Sequence, residues 1–361
     1  MDFSLFYFAN DSANDNSGDR YRLLLEGARF ADTHGFSAVW TPERHFHAFG
    51  GLYPNPSVLG AALAVATERV QIRAGSVVAP LHHPARIAEE WAVVDNLSGG
   101  RVGLSFASGW HSTDFALRPE AYQDRRRITL ETAQQVRELW RGRPMDVVDG
   151  AGTERSISTF PPPVRRELPV WVTSAGNTET FRDAGRAGSG VLTHLLGQDL
   201  DQLAEKIAAY RQAVADRPDA DGRPGHVALM VHTYLGEDDD TVREAVRAPL
   251  SDYLRSSVEL TLTSQRSRTG SRRRMDPSKL RREDVDFLVA QSFERYYRHS
   301  GLLGTVDKAM DLVDAVRAAG VDEIACLIDF GLPDDAVLAG LEHLDTLRRT
   351  VEQRVPAGAV A

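Results

Sequence analysis

The chain has 361 residues, 42% hydrophobic and 26% charged, with a formal net charge of -9. That supply of apolar residues suits one large α/β barrel or two medium domains, and the acidic balance argues against general nucleic-acid binding and against an anionic membrane surface. The single cysteine, Cys326, lies in the apolar run 324–328, which excludes an intramolecular disulfide and a cysteine metal cluster.

Residues 1–4 carry neither the basic stretch nor the apolar core of a secretion signal, and no apolar run reaches spanning length. A cytoplasmic protein with no membrane and no nucleic-acid partner is therefore expected. Residues 4–9 read as a short buried strand, followed by a polar loop over 10–19. Tyr21, Leu24, Leu25, Ala28 and Ala31 then keep helical spacing up to Gly35. A second strand over 38–41 ends in Pro42-Glu43-Arg44-His45-Phe46-His47. The pattern next predicts a helix over 56–66, a strand over 70–79 and a helix over 85–97, with Pro84 in its first turn and Ser98-Gly99-Gly100 as its stop. A fourth strand over 102–107 runs into Ser108-Gly109-Trp110-His111, and a longer helix follows over 120–140.

Residues 145–160, punctuated by Asp149-Gly150 and Gly152, read as a hairpin with Pro161-Pro162-Pro163 stiffening its return. A fifth strand over 169–173 opens through Ser174-Ala175-Gly176-Asn177-Thr178 into a helix over 179–188. Strand six covers 190–196, a helix 200–215 and strand seven 227–235. The segment 238–304 is too long for a loop and too helical for a strand; its basic part, 266–282, reads as a surface loop or lid. A helix over 305–319, strand eight over 323–329 and a helix over 334–351 complete the alternation. Eight strands alternating with helices predict an α/β fold, a (β/α)₈ TIM barrel, with a doubly wound sheet as the lesser alternative. It forms one domain over 1–352. A hairpin insertion at about 142–166 precedes strand five, a helical insertion at about 238–304 separates strands seven and eight, and 353–361 is a flexible tail.

Barrel chemistry gathers where strands end and helices begin. The loop 174–178 leaves backbone N–H groups at a helix start, which makes either a phosphate cradle or an ordinary turn capped by Asn177 or Thr178. After strand two, Glu43, Arg44, His45 and His47 cluster within five positions, with Trp40 and Tyr53 as aromatic walls. Histidine there serves as acid, base or donor near neutral pH. Small residues at 74–76 either let a flat ring lie against the backbone or mark tight packing inside the barrel. His82 and His83 read as loop or capping residues because Pro84 starts a helix. Gly109 permits close backbone approach, and Trp110 and His111 are placed to meet a bound ring or substrate. His194, His232 and Asp329, near the ends of strands six to eight, resemble with His45 and His47 the ligand supply of a metal-dependent hydrolase. Arg44 beside that pair repels a cation, so no metal site is expected. Asp329-Phe330-Gly331 matches a kinase triplet by chance, without any other kinase motif.

Asn10-Asp11, Trp40-Thr41-Pro42-Glu43-Arg44-His45-Phe46, residues 75–84, Gly100-Arg101-Val102-Gly103 and Ser108-Gly109-Trp110 together resemble the bacterial luciferase-like flavin monooxygenases. So do Pro169-Val170-Trp171-Val172-Thr173-Ser174 and Asn177-Thr178-Glu179-Thr180-Phe181, and the resemblance runs over about residues 3–344. Residues 46–51 and 300–305 look like the subgroup found in natural-product biosynthesis.

The resemblance implies a barrel that binds reduced FMN at the strand C-termini. Its phosphate would rest on Ser174, Ala175, Gly176, Asn177 and Thr178. Its ring would lean on a non-proline cis peptide near Gly75-Ser76, bordered by Ala107, Ser108, Gly109 and Trp110. The matching chemistry is oxygenation by FMNH₂ and O₂ through a flavin C4a-hydroperoxide, with His45 as acid–base residue, Glu43 orienting it and His111 in reserve. Luciferases carry two adjacent histidines here; Arg44 takes the first position and stays protonated. It would stabilise a peroxide or bind a substrate carboxylate, which makes hydroxylation the expectation rather than light emission. No nicotinamide fingerprint is present, so FMNH₂ would come from a separate flavin reductase. The resemblance also implies a homodimer and a natural-product intermediate as substrate, either free or tethered to an acyl- or peptidyl-carrier protein that the segment 266–282 would face. An F420-dependent oxidoreductase of the same fold, a non-catalytic flavin-binding barrel and a metal-dependent hydrolase are the alternatives.

Overall fold

The computed structural model describes residues 1–8, 19–109, 111–174, 176–218, 222, 224–266 and 282–354. Asn10 and Asp11, Trp110, Ala175, most of the basic segment (267–281) and the tail from 355 lie outside the described residues.

In chain order the strands are β1 (Asp2–Phe6), β2 (Ala38–Thr41), β3 (Gln71–Val78), β4 (Val102–Ala107), β5 (Met145–Val148), β6 (Glu154–Ile157), β7 (Val170–Thr173), β8 (Gly190–His194), β9 (Val227–Leu235), β10 (Leu302–Gly304) and β11 (Glu323–Leu327). Eight of them pair in parallel in the order β11-β1-β2-β3-β4-β7-β8-β9, and β9 also pairs with β11. That last pairing closes the ring and excludes the doubly wound sheet. The strands read as nearly continuous apolar runs because both faces are covered: side chains fill the barrel inside and helices pack outside. β5 and β6 form an antiparallel hairpin ahead of β7, and β10 lies along the last residues of β9.

The helices are α1 (Arg22–Thr33), α2 (Pro56–Ala66), α3 (Pro84–Ser98), α4 (Arg125–Trp140), α5 (Thr178–Arg186), α6 (Leu200–Ala215), α7 (Asp239–Arg266), α8 (Arg282–Arg295), α9 (Val306–Ala318) and α10 (Asp334–Gln353). Local chemistry fixes their ends. Asn55 accepts from the Ser57 and Val58 N–H groups to open α2, and an Asp199–Gln202 capping box opens α6. Several expected boundaries move: the first strand covers Asp2–Phe6 rather than 4–9, and strand six stops at His194 rather than 196. The helix expected from 120 starts at Arg125, because 3₁₀ turns occupy Ser112–Ala116 and Pro119–Ala121. Strand eight stops at Leu327 rather than 329. No helix among the described residues is long and apolar enough to cross a membrane.

At the N-terminal end of the barrel, fully buried Glu323 accepts from Ser4 Oγ (2.5 Å), Trp40 Nε1 (2.9 Å) and Arg73 Nη1 (2.6 Å). The Arg73 guanidinium lies over the Trp40 and Trp171 rings at 4.9 and 4.6 Å. Burial pushes the Glu323 carboxyl up, but Arg73, His226 and the hydrogen bonds outweigh it and hold the group below its ordinary value. This satisfied ionic plug leaves the opposite, C-terminal face for chemistry.

Candidate active site

Just beyond β2 lies Glu43, buried and 5% exposed. Its Oε1 accepts from His45 Nε2 at 2.9 Å and from His82 Nε2 at 2.6 Å, while Oε2 accepts the Val78 N–H at 2.7 Å. Burial pushes the Glu43 carboxyl up; the two imidazoles and the Val78 N–H more than offset this and keep it an anion below the usual range. For His82 the balance runs the other way. Burial lowers it, and the hydrogen bond to Glu43 raises it above its ordinary value. His83 does cap α3, its Nδ1 accepting from the Ala85 N–H. His82 is also a loop and capping residue, closing the 3₁₀ turn Ala79–Leu81, and its ring in addition reaches Glu43, a contact the sequence did not signal. With Nε2–H donated to the carboxylate, His45 Nδ1 is the nitrogen left to exchange a proton.

Arg44 is buried, 6% exposed, with its guanidinium carbon 4.9 Å from the Phe8 ring centre and 5.4 Å from that of Phe49. Burial lowers its pKa and Asp114 opposes this, but a guanidinium remains charged at neutral pH. Next to it the His47 and His111 rings meet edge to face at 4.6 Å. Burial and the Arg44 charge pull both imidazoles below their ordinary value, so both are neutral at pH 7. Asp114, on the 3₁₀ turn after His111, is pushed up to about 6 by burial, against the opposing pull of Arg44 and His45. Sequence reading missed Asp114, since nothing local marks an acid that only the fold brings beside the strand-two loop.

The Gly75–Ser76 peptide is cis, and the β3–β4 pairing shifts register there. A Cβ on Gly75 would lie 2.7 Å from Phe6 Cε2 and 3.1 Å from Trp40 Cε3, so close packing inside the barrel requires glycine at this position. Ser76 Oγ pairs with Thr173 Oγ1, which also lies 2.7 Å from Ser105 Oγ, linking the C-terminal halves of β3, β4 and β7. Ala107 pairs with Val78 at the end of β4. Ser108 follows, and Gly109 has φ +69°, where a Cβ would come within 2.9 Å of the Phe115 ring.

After β7, Ser174 N–H donates to Leu192 O (3.0 Å) and Ser174 O accepts from Thr193 Oγ1 (2.9 Å). Gly176 has φ +105°, and Asn177 caps α5 by accepting the Glu179 N–H at 2.9 Å. The capping expectation therefore holds for Asn177, while Thr178 is the first residue of the helix. A Cβ on Gly176 would sit 3.5 Å from Lys206 Nζ, which donates to Gln198 Oε1 at 2.7 Å. A helix N-terminus, a glycine-opened backbone and a lysine converge here, which is the donor set a phosphate needs. Lys206 was invisible in the sequence, an ordinary mid-helix lysine whose neighbour is set by α5–α6 packing.

His194, His232 and Asp329 do not join this cluster as ligands. His194 Nδ1 accepts the Leu196 N–H, and burial pulls its pKa down to about 4. His232, pulled down to about 3 by burial, packs edge-on against Tyr253 at 4.4 Å and against Tyr296 and Phe330 at 5.6 Å each. Asp329 accepts from the Phe8 N–H (2.8 Å) and from Tyr53 Oη (2.9 Å), so it ties these two segments together. Among the described residues no three of His, Cys, Asp or Glu are placed to hold a cation.

A closed parallel barrel that gathers titratable groups and a helix-start donor set at the strand C-termini has the arrangement of a TIM-barrel enzyme. Over residues 1–323 the chain matches the profile of the family described as luciferase-like monooxygenase, and it belongs to that family. It is 25% identical over 351 residues to the oxygenase component of flavin-dependent trigonelline monooxygenase from Acinetobacter baylyi, covering 95% of this chain and 93% of that one. It is 26% identical over 306 residues to 4-hydroxyprotoasukamycin monooxygenase from Streptomyces nodosus subsp. asukaensis, covering 82% and 76%. In structure it superposes on monooxygenase RslO1 from Streptomyces bottropensis with a TM-score of 0.76 at 24% identity, covering 98% and 100%.

Proposed function

We propose that this monooxygenase is the oxygenase half of a two-component system: it takes FMN reduced by a separate flavin reductase and uses O₂ to hydroxylate a natural-product intermediate. The observation that carries this reading is one barrel face that holds both the Gly176–Lys206 cradle and the carboxylate-bound His45. The trigonelline relative supports flavin dependence and a separate reductase, and the asukamycin relative supports a biosynthetic substrate.

When bound, reduced flavin supplies the electrons that send one oxygen atom of O₂ to substrate and the other to water. The chain's own residues do the rest. Ser174, Gly176, Asn177 and Thr178, with Lys206, hold the phosphate. Gly75, Ser76, Ala107, Ser108 and Gly109 border the ring. His45 holds or releases a proton at Nδ1 while Glu43 fixes its tautomer, and neutral His111 offers a second acceptor. Arg44 supplies a permanent positive charge for an anionic group of the substrate. Phe49, Tyr253, His232 and Phe330 pack ring against ring, an apolar cluster that helps keep water from the site.

Helices α2 and α3 leave Val58, Val65, Val93 and Leu97 exposed, and these apolar side chains support a homodimer through the two helices. Where the substrate is carrier-tethered, reversing the charge of Arg272, Arg273 and Arg274 slows its turnover more than that of the free substrate; equal turnover removes the carrier from the scheme. Equilibrium binding of FMN, F420 and riboflavin tests the cofactor assignment. Saturable FMN binding is expected, and binding of F420 alone refutes it.

A further inference from the structure

Glu43 has more partners than the orientation of one histidine needs. We propose that His82 is a positioning residue that sets the proton affinity of His45 through the carboxylate they share. The inference rests on the proton role given to His45 above.

A carboxylate only accepts hydrogen bonds, so both imidazoles present an N–H to the same oxygen, Oε1. The Glu43 side chain is 1% exposed, so water does not compete for that oxygen. The second oxygen is taken by the Val78 N–H, which fixes the carboxylate plane between the loop after β2 and the end of β3. His82 is itself held in place: its N–H donates to Ala79 O at 3.1 Å, and Arg118 Nη1 donates to its carbonyl at 3.2 Å. Its ring is 31% exposed and exchanges protons with solvent, whereas His45 is 13% exposed.

A protonated His82 compensates much of the Glu43 charge, and His45 then meets a nearly neutral pair. When His82 loses its proton, the full anion acts on His45, which holds its own proton to higher pH. The other charges facing the pair are few. Glu90 of α3 and Arg118 act on His82 with opposite signs, and Glu90 is already engaged by Arg86 (2.5 Å) and Ser57 Oγ (2.9 Å). On the other side Asp114 interacts with Glu43 and with His45. Within this arrangement His82 is the solvent-facing member through which bulk pH reaches His45.

The test is NMR titration of the imidazole resonances in the full chain labelled at histidine, with His45→Gln assigning the His45 signal. His82→Gln keeps an N–H for Glu43 and removes the charge. In that variant His45 titrates about one pH unit higher, as expected for a lost unit charge a few ångströms away at a partly exposed site. The His45 limb of the kcat–pH profile moves the same way, and FMN affinity is unchanged. In the wild-type chain, which needs no variant to fold, the His45 curve carries an inflection where His82 titrates. Superimposable His45 curves in wild type and His82→Gln, without that inflection, overturn the coupling even in an enzyme that oxygenates. A shifted His45 curve in a chain that oxygenates nothing supports the coupling and removes the functional reading instead.

Discussion

Replacing Lys206 with Met should separate phosphate recognition from ring recognition. Lys206 Nζ lies 3.5 Å from the point where a Gly176 Cβ would stand, beside the start of α5. A phosphate seated there gains a charge-assisted hydrogen bond, and losing one costs about 1.5–3 kcal/mol. The side chain is half-buried and partly screened, so the low end applies, and a weakening of about tenfold in FMN affinity is expected. Riboflavin has the same ring and no phosphate. Its affinity should not change, and the FMN defect should shrink at high salt. Flavin fluorescence titration of both ligands against wild type and Lys206→Met reads this directly. Lys206 also ties Gln198, which donates to His194 O at 2.5 Å, and loss of that tie alone would weaken both ligands alike. Equal losses for FMN and riboflavin would mark that case, and an unchanged FMN affinity would refute the cradle.

Replacing His45 with Gln should lower kcat by about 10²–10⁴-fold, the usual range for a lost acid–base group, while FMN affinity stays near wild type; parallel losses of both would make His45 a binding residue. Asp114→Asn should be more stable than wild type at pH 7. The Asp114 pKa is raised to about 6, so wild type loses relative stability as pH climbs from the unfolded carboxylate value through about 6 and loses no more above it. Denaturant melts of the two proteins should therefore converge near pH 4, and a constant gap across pH would contradict the assignment. Arg73→Met should cost about 3–5 kcal/mol, because it strands the buried Glu323 charge. A thermal melt at pH 7 checks this, and an unshifted midpoint would show that the plug is dispensable.

The barrel was legible because its strands are buried on both faces and so appear as apolar runs between helix-forming stretches. The spans 56–66, 200–215 and 227–235 coincide with α2, α6 and β9. Strand eight was overextended for the same reason. The apolar run continues through Ile328, but pairing ends at Leu327, and Asp329 is used to tie Phe8 and Tyr53. Glu43 and His45 were readable together because only Arg44 separates them in the sequence. His82, Asp114 and Lys206 were not, since each gains its meaning from a neighbour that only the fold supplies. His82 meets Glu43 across 39 residues of chain. Gly75 shows the opposite limit. Its small size was visible, but that Phe6 and Trp40 impose it required the packed barrel.

The reaction of enzyme-bound reduced FMN with oxygen tests the central claim most directly. The protein is titrated anaerobically with FMNH₂, mixed with O₂ and followed optically, with free FMNH₂ and the His45→Gln chain alongside. Saturation at one FMN per chain, with an oxygen reaction distinct from that of free flavin and altered by His45→Gln, is the predicted result. Absence of FMNH₂ binding, or reoxidation indistinguishable from that of free flavin in both proteins, would contradict it.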